Sequence, residues 1–360
     1  MQQTGNKILG FLAILFIFVV IFSVLGVCLY TSNIKAVSKE SKEVEFEVKE
    51  NQTYSTLGSE LEKQGLIKSN FFYKIYIKLN SPKNLQKGVY VLNQNMDLKE
   101  IIEIFEDGSN SSDNYINITF KEGLNIRKIA NVISEKTDNS YEDVINVMSD
   151  KEYINSLINE YWFLTNDILN ENIYYPLEGY LFPETYQIGK DYKVKDILKV
   201  MLNQTDKVLK PYKETIEKSS YSVHQIMTMS SIVELEAGNA NDRAGVAGVF
   251  YNRLRNGWTL GSDVTTYYGS KIDDFKISLT YKELNDCSNK YNTRCASFAG
   301  LPVGPICNPG SESIIASINP SSHNYYYFVA DCSGKTYMNT NSQGHANIIN
   351  QLKNENNWCA

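Results

Sequence analysis

Histidine is nearly missing from this chain: His224, His323 and His345 are the only three in 360 residues, and no two of them stand at ligand spacing. A metal centre built on imidazoles is therefore not expected, and no cofactor is. A basic surplus is missing too, since 35 Lys and Arg stand against 41 Asp and Glu for a formal net charge of −6. Nucleic acid is not an expected partner, because binding phosphates takes a positive footprint. The six cysteines form no Cys-x-x-Cys pair, which removes the usual zinc and dithiol motifs. What remains, 42% hydrophobic and 21% charged residues, is ordinary for a folded protein, and the length allows two domains beyond an anchor.

Charge is absent altogether from 8–30, a run of 23 positions, longer than the ~20 residues that cross a bilayer core. This predicts a single-pass transmembrane helix after a short tail, 1–7. A cleaved signal peptide would have a shorter apolar core and an Ala-x-Ala-like site. Leu25-Gly26-Val27-Cys28 loosely resembles a lipid-attachment site, but the bulky Val27 opposes it. Lys7 on one side and Lys35 and Lys39 on the other barely decide orientation; the short tail favours a cytoplasmic N-terminus.

Beyond the span, 31–43 reads as a polar linker. A weak internal repeat follows: Val48-Lys49-Glu50 with Leu57 and Leu61 parallels Phe120-Lys121-Glu122 with Ile129 and Ile133, each a strand, a turn and an amphipathic helix. Between them, 88–92 reads as a strand and 97–105 as a helix with Asp97 as N-cap. The Ser- and Asn-rich stretch 109–114 marks a boundary. Helix is expected near 311–318, strand at 325–330 and a turn at 331–335, so the fold class is α+β. Five cysteines, Cys287, Cys295, Cys307, Cys332 and Cys359, crowd the C-terminal part. At least one disulfide is expected, among the first four, and an odd thiol is left over.

The sharpest chemical signal is Met-Ser-Ser-Ile-Val-Glu-Leu-Glu at 229–236, on an expected helix ending at Gly238. Glu234 has apolar and small hydroxyl neighbours and no Lys or Arg within a helical turn. A carboxyl so placed can hold a proton near neutral pH, as a general acid must. Residues three, four and seven before Glu234 are Ser231, Ser230 and Met227, whereas Glu236 shares its stripe with Val233 and Met229, so the two acids point to different sides. Aromatics in Leu-Glu-Gly-Tyr-Leu-Phe-Pro-Glu-Thr-Tyr at 177–186 could face a sugar ring or fill a core.

Several further motifs accompany these. They include Asp242-Arg243, Val249-Phe250-Tyr251-Asn252-Arg253-Leu254, Ser262-Asp263-Val264-Thr265, Tyr291-Asn292-Thr293, Leu301-Pro302-Val303-Gly304-Pro305-Ile306 and Tyr327-Phe328-Val329-Ala330. In this order and spacing the chain resembles the MltG (YceG-like) endolytic murein transglycosylases over nearly its whole length. The resemblance implies a small LysM-like α/β module at 44–108 that contacts glycan, and a larger mixed α+β YceG-like catalytic domain at 115–360. It implies cleavage between N-acetylmuramic acid and N-acetylglucosamine within peptidoglycan strands, with Glu234 as the single acid and base and a 1,6-anhydro end as product. Ser231, Asn252, Asp263, Thr265, Tyr291 and Asn292 would bind and orient the sugar, with Glu178 and Glu184 as secondary contacts. Penicillin-binding proteins and other cell-wall synthesis proteins would be partners, and the catalytic domain would lie outside the cell membrane.

The chain departs from the family pattern at Gly261, Val264, Arg294 and Val303, where many relatives carry Gln, Pro, Tyr and Pro. Two other classes stay open. A noncatalytic peptidoglycan binder would need the module and the anchor but not Glu234, and the module itself could be a spacer or an interface. A hydrolytic muramidase would need a second carboxylate beside a water, from Glu178, Glu184 or Asp263.

Overall fold

The structure is a computed structural model that describes residues 2–49, 52–108, 115–295 and 297–359; before residue 20 only the side chains of Phe16 and Phe18 are described. The chain divides into two compact units, Met1–Ile116 and Asn117–Ala360.

In the first unit, helix α1 (Gln2–Asn33) precedes strand β1 (Glu43–Val48), helices α2 (Tyr54–Lys63) and α3 (Asn70–Asn80), strand β2 (Gly88–Asn93) and helix α4 (Leu98–Asp107). The two strands pair antiparallel from Glu43 opposite Asn93 to Val48 opposite Gly88. Alternation along β1 buries Phe46 and Val48 against Leu57, Leu61, Ile101 and Phe105. Asp97 caps α4 as expected, accepting the Lys99 and Glu100 N–H groups. The expected span 8–30 begins among residues whose side chains lie outside those described; among the described residues no helix is long and apolar enough to cross a membrane. Part of the expected linker is built in, for Ile34 packs on this core and its N–H closes back on the Tyr30 carbonyl.

The second unit is mainly helical. Strand β3 (Tyr115–Thr119) leads into helices α5 (Ile126–Lys136), α6 (Tyr141–Met148) and α7 (Lys151–Glu160). Strand β4 (Thr185–Gly189), paired with β3, and helices α8 (Val194–Leu209), α9 (Lys213–Glu217) and α10 (Val223–Glu236) follow. Then come α11 (Arg243–Arg255), α12 (Asp263–Gly269), α13 (Tyr281–Leu284) and α14 (Ser311–Ile318), the antiparallel pair β5 (Tyr327–Ala330) and β6 (Thr336–Asn339), and α15 (Ser342–Asn354). The architecture is thus α+β with small two-stranded sheets, as expected. The expected strand 325–330 starts two residues late at Tyr327, because the Tyr325 carbonyl accepts the Asn252 side chain rather than a strand partner.

Two disulfides close loops here, Cys287–Cys295 and Cys332–Cys359, while Cys307 is buried and free. Cys307 drops out of the expected bridging set because its thiol donates to the Ser231 carbonyl inside the core. Alkylation of the unfolded, unreduced chain should therefore add two groups, at Cys28 and Cys307, and reduction should raise the count to six. Intact-mass measurement checks this; six groups without reductant would refute both bridges.

Candidate active site

The site is organised by α10. Ser222 and Gln225 form its capping box, each side chain accepting the other's backbone N–H. The next residues are apolar or carry small hydroxyls, and all from Val223 to Val233 except Gln225 are buried. The hydroxyls tolerate burial because each returns its proton to a carbonyl of the preceding turn: Thr228 to His224, Ser230 to Ile226 and Ser231 to Thr228, at 2.7–2.8 Å. A helix without a polar face has to lie inside the protein, and α10 packs against α11, α12 and α14.

Glu234 and Glu236 close this helix and do point apart. The Glu234 side chain is only 6% exposed. Its Oε1 lies 3.0 Å from Arg243 Nη2, and its Oε2 accepts the Gly310 N–H at 3.0 Å. The expectation of an acid free of cations is corrected here: the cation comes from the start of α11, brought back by the turn after Ala237, beyond the reach of helical spacing. Arg243 also meets Glu312 at 2.8 Å and Glu122 at 3.5 Å. Glu236, half-buried, instead accepts the Ser262 hydroxyl at 2.6 Å. Desolvation pushes its carboxyl above the ordinary range, with the Asp263 charge adding to the rise.

The loop after Pro305 is stitched in from several sides. Ser231 Oγ accepts the Ile306 N–H at 3.0 Å. Asn308 accepts the Leu181 N–H and donates to the Leu124 carbonyl and to Glu178. Gly123 N–H in turn donates to the Asn308 carbonyl. The preceding stretch is held by His224, whose Nε2 donates to the Val303 carbonyl at 3.1 Å while Nδ1 accepts the Tyr180 hydroxyl at 2.8 Å. Burial pushes this imidazole's pKa down, in the direction of the neutral form.

The other expected contact residues fall into two groups. Ser231, Thr265, Tyr291 and Asn292 are buried, and their polar atoms bond to protein groups. Thr265 Oγ1 donates to the Ser262 carbonyl and touches Thr293. Tyr291 accepts the Tyr174 N–H and packs its ring 4.8 Å from that of Tyr268. Asn292 fastens the carbonyls of Glu283, Leu284 and Asp286. Asn252 is likewise 6% exposed and donates to the His323 and Tyr325 carbonyls. Asp263 and Glu184 are exposed, the first paired with Arg294 and the second accepting the Thr185 N–H. The aromatics of 177–186 turn inward, Tyr180 stacking between Phe163 and His224.

Glu178 is 1% exposed and receives the Ile126 N–H, the Tyr268 hydroxyl and the Asn308 amide. Burial outweighs these donors and pushes its carboxyl up to about 7. Between the unfolded value of 4.5 and about 7 the folded chain binds more protons than the unfolded one, so stability falls as pH rises across that window. Glu178→Gln should abolish this fall, improving Tm relative to wild type by about 5–10 °C between pH 5 and pH 8. Parallel melting curves for the two proteins at both pH values would refute it.

Sequence reasoning passed over Arg243, Glu122, Glu312, Asn308, Gly310 and His224 as site residues. Arg243 stood in a quoted motif and Glu122 in the repeat, yet nothing local marks them as neighbours of Glu234.

Known proteins are similar to this chain in sequence and fold over most of its length. The YceG-like family matches residues 46–351. An endolytic murein transglycosylase of Bacillus subtilis (strain 168) is 36% identical over 324 residues, 89% of this chain and 88% of that protein. A protein of the same name from Streptococcus pneumoniae serotype 2 is 28% identical over 319 residues, and the match spans 86% of this chain but 58% of that longer protein. The crystal structure of a yceG-like protein from Listeria monocytogenes superposes with a TM-score of 0.60 at 33% identity, over 86% of this chain and 100% of that one.

Proposed function

The chain belongs to the YceG-like family, and on that premise we propose that it is an endolytic murein transglycosylase, a lyase that cuts peptidoglycan strands between N-acetylmuramic acid and N-acetylglucosamine. Glu234 is the acid and base. It protonates the leaving glycosidic oxygen as the bond to the anomeric carbon breaks. Its carboxylate then accepts the proton of the muramic 6-hydroxyl as that oxygen closes on the same carbon. No water enters, and the product end is a 1,6-anhydro sugar.

The observation that carries this reading is the placement of Glu234: nearly enclosed, on a rigid buried helix, with the Gly310 N–H and Arg243 positioned to steady the carboxylate between its two proton transfers. A hydrolytic muramidase is less well supported, because the carboxyls proposed as its second group are engaged elsewhere, Glu178 within the core, Asp263 on Arg294 and Glu184 on the Thr185 N–H. Digestion of purified sacculi by the full-length chain, with mass analysis of the new ends, tests the proposal. Ends about 18 Da lighter than hydrolytic ends are expected, because ring closure replaces water addition; reducible, water-added ends would make this a hydrolase.

We also assign α1 the role of a single-pass anchor in the cell membrane, with a cytoplasmic N-terminus and the remainder outside. The uncharged 8–30 run supports this, as do the exposed apolar side chains from Phe16 to Leu29. Glycan contact by a LysM-like first unit rests on the resemblance and on two helices joined to an antiparallel strand pair. Association with penicillin-binding proteins and other cell-wall synthesis proteins rests on the resemblance alone.

A further inference from the structure

Arg243 faces more negative charge than it can neutralise. Its guanidinium, 12% exposed, meets Glu122 and Glu234 through Nη2 and Glu312 through Nη1. Three ionised carboxyls would leave two charges uncompensated around one cation, and crowded like charges favour retention of a proton by one of them.

The geometry separates the three. Glu312 has Nη1 to itself at 2.8 Å, and water reaches both it and Glu122, whose side chains are 56% and 47% exposed, so what separates them is the nitrogen each meets and its distance. Glu122 and Glu234 share Nη2 and meet again at Gly310, whose N–H donates to Glu234 and whose Cα leaves no room for a Cβ beside the Glu122 carboxyl. Glu234 takes both short donor contacts, whereas Glu122 receives only the 3.5 Å contact. Partial burial, and then the Glu234 charge, push Glu122 above the ordinary carboxylate range. The charged groups facing Glu122 are Glu234 of α10, Arg243 of α11 and Glu312 of α14.

We propose that Glu122 is a positioning residue for the catalytic proton, holding it while Glu234 is paired with Arg243 and yielding it to Glu234 when substrate binds. In that step an O–H bond on Glu122 breaks and one on Glu234 forms. Arg243 stays protonated and shifts Nη2 from Glu234 to the newly charged Glu122. The 6-hydroxyl returns a proton to Glu234 in each turnover, so Glu122 sets the protonation state of the acid and is not consumed. The inference rests on the reading of Glu234 as the acid.

The test is the pH–rate profile of the full-length chain on sacculi for wild type, Glu122→Gln and Glu122→Asp, with folding checked by circular dichroism. In Glu122→Gln no neighbouring carboxyl can lend its proton to Glu234, and Arg243 Nη2 has no charged Glu122 to move to. The basic limb of Glu122→Gln should therefore move down by about one pH unit or more, costing about tenfold at neutral pH, with the rate regained in acid. Glu122→Asp should keep the wild-type limb; should the Gln variant misfold, Glu122→Ala serves in its place. A limb that stays put, with the rate unchanged or lowered equally at every pH, overturns the proposal. Glu234→Gln distinguishes the two failures: an active variant sinks the underlying reading, whereas an inactive one beside an unmoved Glu122→Gln limb sinks only the role of Glu122.

Discussion

Glu234→Gln should give a folded protein that cuts glycan at least about 100-fold more slowly than wild type. The substitution is nearly isosteric. An amide oxygen can still accept the Gly310 N–H, and although the ion pair with Arg243 is lost, Arg243 keeps Glu122 and Glu312, so the fold should survive. What disappears is the removable proton, needed once by the leaving oxygen and once more from the attacking hydroxyl. Glu236→Gln is the informative contrast, since its amide oxygen can keep the bond from Ser262 and should cost less than about tenfold. Release of new glycan ends over time measures both. Full activity in Glu234→Gln with collapse in Glu236→Gln would move the acid two residues along the helix, to a half-buried carboxyl that desolvation also pushes above the ordinary range.

The second large effect is on stability. Gly179 adopts φ +87°, and a Cβ there would collide with the ring of Pro305. Gly179→Ala therefore combines left-handed backbone strain of about 1–2 kcal/mol with overpacking of about 1–3 kcal/mol. Together these amount to about 3 kcal/mol, or a Tm lower by about 10 °C in a unit of this size. Activity should fall further than stability alone requires, because Pro305 leads into the loop that presents Gly310 to Glu234. A thermal melt and an assay well below the transition separate the two; an unchanged Tm would mean that the Pro305 loop yields freely.

Much of this was legible in the sequence because it is local. The divergence of Glu234 and Glu236 follows from 100° per residue, the Asp97 cap from its place before an apolar run, and α14 from its periodicity. The repeat placed Leu57, Leu61, Ile129 and Ile133 inward, and all four are fully buried. What was not legible is non-local. Glu122, Glu234, Arg243 and Glu312 come from four segments, and only the packing of α10 on α11 and α14 makes one cluster of them. Motif residues also carry no mark of facing. Thr265, Tyr291 and Asn292 look like sugar-binding chemistry in a list of residue types, yet each turns its polar atoms toward neighbouring backbone or hydroxyls. The inward turn of Tyr180 was equally unreadable, since its partner His224 lies 44 residues away.

The bridge between Cys287 and Cys295 spans eight positions and encloses Tyr291, Asn292 and Thr293, which brace α12 through Tyr268, Thr266 and Thr265 respectively. A loop of that length gains about 2–3 kcal/mol from cross-linking, more than any single one of its hydrogen bonds supplies. Oxidation of this one pair is thus part of what holds α12 in place, and the brace can set only where thiols can be oxidised.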